Sequence, residues 1–402
     1  RITLAHKRLR KGFDLGSSRI RKNRLGSDHP GGHHGGREIQ GEAMRNIVFL
    51  IIGLTAGLLV GFVAVDGGPE QVTLTEAAVP QDVIRWKVTG AVPASLVQVG
   101  TLSERATKLI TGLSGGRLHA QFYDPGALVP VMEMFDAVSA GAIDAGIATA
   151  GYWVGKEPAL AFFSAVPFGP NTGEYMAWFY YGGGKEMYDE LYARHNMKGV
   201  MCGMLPPEAS GWFREEIISV EDLRGLKMRF FGLGGEALER LGVSTQLIAG
   251  SDIYPALELG TIDATEFSMP AVDQALGFHQ IAKHYYFPGW HQQSTFLELI
   301  VNMERWQALP DDLKLLVETV CGESIRLSIA EGDALQFKAI AALKKQGVSV
   351  HRWSPEILAA FEAGWQEVVA ERSAENADFA RVWQSLKAFR EDYAVWLGLG
   401  YL

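Results

Sequence analysis

A nine-residue pattern occurs twice in this chain and dictates a local geometry each time. Ala137-Val-Ser-Ala-Gly141-Ala-Ile143-Asp144-Ala145 is echoed by Ala256-Leu-Glu-Leu-Gly260-Thr-Ile262-Asp263-Ala264. In each copy a helix ends on glycine, which enters the left-handed region without the steric cost of a Cβ. The chain then turns at once into a strand with an aspartate at its mouth. Two such turns, 119 residues apart, fit two α/β halves of similar construction. Facing halves make a cleft, and clefts of that kind are where small ligands bind.

The periodicity around the first copy agrees. Residues 83–88 alternate as a strand, and residues 97–113 place Leu102, Ala106, Leu109 and Leu113 on one side of a helix that Gly115-Gly116 stops. Residues 118–123 alternate again, residues 131–140 read as helical, and residues 143–149 return as a strand. Strand–helix–strand–helix–strand predicts a parallel sheet. After the second copy, residues 311–346 and 355–397 are mostly helical, with a short strand at 348–353 between them. The last helical stretch carries an apolar stripe through Ile357, Phe361, Trp365, Val368, Phe379, Trp383, Leu386 and Phe389. That stripe needs a partner, either the chain's own domains or a second subunit.

Charge is divided unevenly. Residues 1–46 carry 11 Lys and Arg against 4 Asp and Glu, whereas the rest carries 26 against 42. An acidic body has no affinity for nucleic acid phosphates. Residues 47–65 run without a charge, just after Met44-Arg45-Asn46, as a bacterial signal sequence would. The pattern predicts translation from Met44, residues 1–43 as a non-native upstream extension, and residues 44–77 as a signal or anchor segment with its linker. The body is then exported to the periplasm, either cleaved or tethered to the inner membrane by residues 47–65. The two cysteines, Cys202 and Cys321, are expected as independent buried thiols, with one disulfide as the alternative.

Enzyme signatures are missing from the sequence: there is no His-Glu-x-x-His, Gly-x-Ser-x-Gly, phosphate-binding Gly-x-x-x-x-Gly-Lys or dinucleotide Gly-x-Gly-x-x-Gly. His279, His284 and His291 share no helical face and read as ordinary polar or core histidines. Arg229 closes a predicted strand at a domain mouth. Its planar fork matches a carboxylate, and an inter-strand salt bridge is the competing role.

Longer motifs point to a family. Gly225-Leu-Lys-Met-Arg229, Ile253-Tyr-Pro-Ala-Leu-Glu258 with Gly260-Thr-Ile-Asp-Ala-Thr-Glu266, Tyr285-Tyr-Phe-Pro-Gly-Trp290, and Asn302 with Trp306 and Leu309-Pro310 resemble the solute-binding proteins of tripartite ATP-independent periplasmic (TRAP) transporters. The similarity runs from about Trp86 to the final helix and is greatest to the branch that binds 2-oxoacids and lactate. It implies an α/β fold of the type II periplasmic-binding-protein kind, with two domains, an interdomain cleft and a long C-terminal helix. Such a receptor captures an organic anion and delivers it to separate membrane permease subunits, without ATP hydrolysis. The resemblance also implies that Arg229 clamps the ligand carboxylate. A metal cation (Ca²⁺ or Na⁺) would sit beside it on Glu266, the Phe267 carbonyl and the side chain before Gly211-Trp-Phe213. The C-terminal helix would be exchanged in a swapped homodimer. Tyr152 and Gln292 are expected to line the cleft. The implied division is residues 82–205 plus 268–302, residues 206–267 plus 303–352, and a helical segment 353–402.

This chain departs from the branch at one point that matters. Glu208 stands ahead of Gly211-Trp-Phe213 where the branch usually has Gln; Phe267, where it commonly has Trp, is a mild change because the ligand atom there is a carbonyl. Glu208, Glu266 and Arg229 sum to a formal charge of −1, and a carboxylate ligand makes it about −2, which a divalent ion balances. Oxygen donors of this sort suit a hard cation such as Ca²⁺. Two alternatives stand beside that reading: an amino group of a zwitterionic solute pairs with Glu208, or Glu208 points outward into a salt bridge. The expected function is a receptor for a small carboxylate such as pyruvate or lactate. Its rivals are an amino acid receptor without metal, an exported enzyme using Glu208 and Glu266 as an acid/base pair, and a tethered sensor domain.

Overall fold

The computed structural model describes residues 83–401; the start at Met44, the extension 1–43 and the signal or anchor segment 44–77 lie outside the described residues. The opening elements fall where the periodicity puts them: β1 (Ile84–Gly90), α1 (Val99–Leu113), β2 (Leu118–Tyr123), α2 (Met134–Ser139) and β3 (Ala145–Ala148). They are followed by α3 (Thr172–Tyr181), α4 (Gly184–Arg194) and β4 (Met197–Leu205). Then come β5 (Gly211–Phe213), β6 (Lys227–Arg229), α5 (Leu233–Glu239), β7 (Ser244–Gln246), α6 (Gly250–Glu258) and β8 (Ala264–Thr265). The chain continues through α7 (Pro270–Leu276), β9 (His284–Phe287), β10 (Thr295–Asn302) and α8 (Met303–Gln307). It finishes with α9 (Asp311–Lys345), β11 (Ser349–Arg352), α10 (Pro355–Glu375) and α11 (Ala377–Gly400).

Two sheets result, with strand orders β2-β1-β3-β10-β4 and β11-β9-β5-β8-β6-β7. The expected parallel sheet is only half right. β1 runs parallel to β2 and β3, but β10 is antiparallel to both β3 and β4. The reason is topological: β10 enters from the second half of the molecule rather than through a helical crossover, and only a crossover returns a strand in parallel.

The repeated turn is built alike in both sheets. Gly141 and Gly260 have φ of 73° and 71°, so the left-handed conformation that favours glycine is used both times. Asp144 accepts from Lys87 N (2.8 Å) on the neighbouring β1, and Asp263 accepts from Lys227 N (3.0 Å) on the neighbouring β6. The aspartate at each strand mouth is thus a latch between parallel strands.

Two elements do not respect the sequence-based division. β9 was expected with the first domain, yet it joins the second sheet between β11 and β5, where Tyr285 stacks on Trp212 with ring centroids 3.7 Å apart. The 35-residue α9 begins in the first core through Leu313, Val317, Val320 and Cys321 and ends with Leu343 in the second. At about 1.5 Å per residue it spans roughly 50 Å and braces both sheets. The cysteines are also corrected. Cys202 of β4 and Cys321 of α9 are disulfide-bonded, with Cα atoms 4.0 Å apart, because α9 packs directly on β4.

The last helical stretch breaks at Asn376, whose side chain accepts from Phe379 N (2.8 Å) as the N-cap of α11. Phe379, Val382 and Leu386 of α11 are buried against their own chain. Val395, Trp396, Leu399 and Tyr401 near its end are exposed. Among the described residues no helix is long and apolar enough to cross a membrane.

Candidate ligand-binding and metal site

Three short segments pass between the sheets or leave one beside the other: residues 206–210 after β4, residues 266–269 after β8, and residues 288–294 after β9. Their backbones are tied together. Glu208 N donates to Gln292 O (3.4 Å), Gly289 N to Glu208 O (3.0 Å), and Ala209 N to Ser268 O (3.3 Å). A Cβ on Gly289 would sit 2.5 Å from Glu208 O, so glycine is required for that approach. The sequence-predicted site residues lie on or beside these crossings because the carboxyl ends of β3, β6 and β8 converge there, as ligand sites in α/β sheets do.

A partly open cavity lies between the halves. Tyr152, Glu208, Arg229, Phe267 and Gln292 all line it, as does Ser268. Val92, Val99, Ile147, Leu205 and Leu297 of the first half form its apolar wall, and Phe231 faces them from the second. Tyr152 packs edge-on against Phe231 (5.0 Å), and burial pushes its hydroxyl above the usual tyrosine value, partly opposed by Arg229. Gln292 is buried, and it contributes its backbone to the crossing described above.

Arg229 is 1% exposed. Its Nη1 donates to Glu266 Oε1 (2.6 Å) and to Glu266 O (2.7 Å), and its Nε to Ile248 O (3.3 Å). The guanidinium lies 5.2 Å from the Phe267 ring centre. The inter-strand salt bridge weighed from sequence is therefore present; it takes Nη1, while Ile248 O takes Nε. Nη2 makes none of the described hydrogen bonds, and Arg229 lines the cavity. A second carboxylate can be met there.

Glu208 does not point outward. It is 5% exposed, and Glu208 Oε2 lies 3.6 Å from His291 Nε2; Glu266 Oε2 lies at the same 3.6 Å from that nitrogen. One donor atom from each of Glu208, Glu266 and His291 falls within 4.8 Å of the others. His291 is buried, as a core histidine was expected to be, but it also faces two carboxylates, which the sequence reading did not foresee. Burial holds the Glu208 carboxyl up at about 7, with His291 pulling it down and Glu266 pushing it up. Burial alone would lower His291, but the two facing carboxylates outweigh it and raise it to about 9. Two buried carboxylates, a carbonyl-bearing segment and an imidazole make a donor set that fits a divalent cation.

Asp273 on α7 was also missed. It accepts from Trp212 Nε1 (2.9 Å), Tyr285 OH (2.9 Å) and Ser268 N (3.1 Å), and so fixes the segment that carries Glu266 and Phe267 against the second sheet. Burial raises its carboxyl to about 7, against the pull of those hydrogen bonds. Nothing in its sequence surroundings marks it; the aspartate lies in an unremarkable helical turn. His291, by contrast, directly follows Pro288-Gly289-Trp290, and that adjacency was the available signal.

With this geometry in hand, the likeness to known proteins can be stated. The family model for bacterial extracellular solute-binding proteins, family 7, matches residues 89–376. A monocarboxylate 2-oxoacid-binding periplasmic protein of Nostoc sp. is 36% identical over 315 residues, 78% of this chain and 86% of that protein. A TRAP transporter solute-binding protein of Bordetella bronchiseptica, a dimer with copurified calcium and picolinate, is 36% identical with a TM-score of 0.78 over 79% of this chain and 95% of that one. One from Pseudoalteromonas atlantica with bound sodium and pyruvate is 32% identical with a TM-score of 0.74, over 78% and 96% of the two chains.

Proposed function

The chain belongs to family 7 of the bacterial extracellular solute-binding proteins, and from that premise we propose that it is a TRAP receptor for a small 2-oxo- or 2-hydroxycarboxylate, bound beside a cation. The observation that carries the reading is Arg229: a buried, cavity-lining guanidinium whose Nη1 is held by Glu266 and Nε by Ile248 O, while Nη2 makes none of the described hydrogen bonds. A carboxylate there gains charge-assisted hydrogen bonds from a buried guanidinium. Tyr152 and Gln292 line the same cavity, and the apolar wall accommodates the solute's carbon chain. The cation would be held by Glu208, Glu266 and the Phe267 carbonyl, neutralising charge that Arg229 alone does not balance.

We infer a receptor rather than an enzyme, because the relatives are transport proteins and Glu266 is already paired with Arg229. The solute passes to membrane permease subunits. The protein acts in the periplasm, with residues 47–65 as its export signal or tether. We extend the reading to a homodimer exchanging α11. Its exposed tip at Trp396, Leu399 and Tyr401 supports a partner surface, and sedimentation of the purified chain at two concentrations tests it, a concentration-independent monomer counting against exchange.

Thermal unfolding of the stripped protein tests the main reading. Solute at a hundred times its dissociation constant adds about 2.7 kcal/mol. Pyruvate or lactate is expected to raise the melting temperature with a divalent ion present and to lose most of that effect in chelator. Stabilisation by amino acids alone, indifferent to chelator, would assign Glu208 to an ammonium group instead.

A further inference from the structure

Two of the hydroxyls that line the cavity serve the fold. Ser103 Oγ donates to Val99 O (2.7 Å), and Thr295 Oγ1 pairs with Ser164 Oγ (3.1 Å). Ser268 lines the same cavity at 3% exposure, yet its Oγ has no hydrogen-bond partner among the described residues. A buried hydroxyl in that condition is costly unless a partner completes it.

The backbone of Ser268 is pinned on both sides. Its N donates to Asp273 Oδ1 (3.1 Å), and its O accepts from Ala209 N (3.3 Å) in the crossing that carries Glu208. Asp273 is fixed in turn by Trp212 Nε1 and Tyr285 OH, both at 2.9 Å. Held this way, Ser268 keeps only the rotation of its side chain. It directly follows Phe267, whose ring centre lies 5.2 Å from the Arg229 guanidinium, so an uncommitted hydroxyl stands beside the carboxylate clamp.

We propose that Ser268 is a specificity-determining residue: its hydroxyl bonds the oxygen on the carbon next to the solute carboxylate, so the receptor selects 2-oxo- and 2-hydroxycarboxylates over carboxylates without that oxygen. The inference rests on the reading that Arg229 clamps a carboxylate, and deepens it by naming the protein atom that reads the second group. Serine serves both solute classes. Its hydroxyl donates to a keto oxygen, and it donates to or accepts from a hydroxyl. The discrimination is against the missing oxygen. An unsubstituted acid meets the same apolar wall but leaves Oγ buried and unpaired, and a site built to bond a substrate oxygen rejects the analogue lacking it for that reason.

The test uses pyruvate, lactate and propionate, three-carbon carboxylates that differ only at that carbon, titrated calorimetrically into the full chain at one fixed calcium concentration. The native chain is expected to bind pyruvate and lactate more tightly than propionate. Ser268→Ala is expected to weaken pyruvate and lactate about tenfold and to leave propionate unchanged or tighter, the coupling of a double-mutant cycle with one partner on the solute. A native chain without the preference, equal losses for all three solutes, or a preference that survives the substitution overturns the inference. Thermal unfolding of the solute-free proteins shows whether the hydroxyl serves the fold instead. Ser268→Ala removes an unpaired buried group, so it is expected to melt at or above the native temperature, and a lower melting temperature contradicts the proposal. If the native chain binds none of the three, or if Arg229→Lys weakens none of them, the carboxylate reading itself is wrong, a separate failure.

Discussion

Gly141 and Gly260 close the same turn down to its hydrogen bonds. Ala142 N and Ile143 N donate to Ala137 O, while Thr261 N and Ile262 N donate to Ala256 O. The strands that follow lead to opposite sides of the cleft and carry different chemistry there. β3 runs on to Tyr152 and a wall of Val92, Ile147 and Leu297, whereas β8 runs on to Glu266 and Phe267 beside Arg229. Each half also buries a carboxylate. In the first, Glu298 is held by neutral donors alone: Tyr188 OH (2.6 Å), Tyr192 OH (2.6 Å) and Trp153 Nε1 (3.1 Å). In the second, Glu266 faces Arg229 and His291. One scaffold thus serves two purposes: the first half buries its polar groups to finish a core, and the second keeps charge available to a ligand. Lesions in the first half should change stability, and lesions in the second should change affinity.

The largest effect is expected from the first half. Replacing Cys202 and Cys321 together by Ser frees a loop with a sequence separation of 119, which should cost about 4 kcal/mol and lower the melting temperature on the order of 10 °C. Solute affinity at 25 °C should stay within about twofold, since neither cysteine lines the cavity; a large loss of affinity would break the division between halves.

Glu298 gives the next test. Its carboxyl is raised to about 7 by burial, against the pull of Tyr188, Tyr192 and Trp153, while an unfolded glutamate titrates near about 4.3. Between those values the folded state binds the extra proton, so stability falls as pH rises from about 4.5 to about 7. Glu298→Gln should abolish that part of the fall, on the order of 3 kcal/mol, in urea titrations at both ends of the window. Equal slopes in the two proteins would contradict the assignment.

In the second half, Arg229→Ala is a poor probe, because it strands a buried Glu266 and the fold suffers with the ligand. Arg229→Lys keeps the charge and removes the fork. It should weaken carboxylate binding about a hundredfold, about 2.7 kcal/mol, with little change in unfolding of the free protein. The smallest effects come from matched lesions. Gly141→Ala and Gly260→Ala each force a Cβ into the left-handed region, with no atom closer than 3.5 Å to either new carbon, so each should cost about 1 kcal/mol. Costs differing by more than about 0.5 kcal/mol would show that the two turns are not equivalent.

The repeat made both turns legible from sequence, and the aspartates that follow proved to latch neighbouring strands. Arg229, Glu208, Phe267, Tyr152 and Gln292 were expected at the cleft from the family resemblance, and all five line the cavity. What stayed hidden depends on pairings between distant segments. The antiparallel placement of β10, the transfer of β9 to the second sheet and the Cys202–Cys321 bond leave no periodic trace. His291 and Asp273 act through neighbours far along the chain, so the spacing among His279, His284 and His291 was the wrong quantity to judge. Side chains gathered from three crossings obey no helical period.

The most direct measurement is a crystal structure of the stripped protein with pyruvate and a divalent ion. The account predicts the pyruvate carboxylate on Nη2 of the Arg229 guanidinium, with the ion between Glu208 and Glu266. A carboxylate seated away from Arg229, or an ion bound elsewhere while those glutamates stay empty, would contradict it.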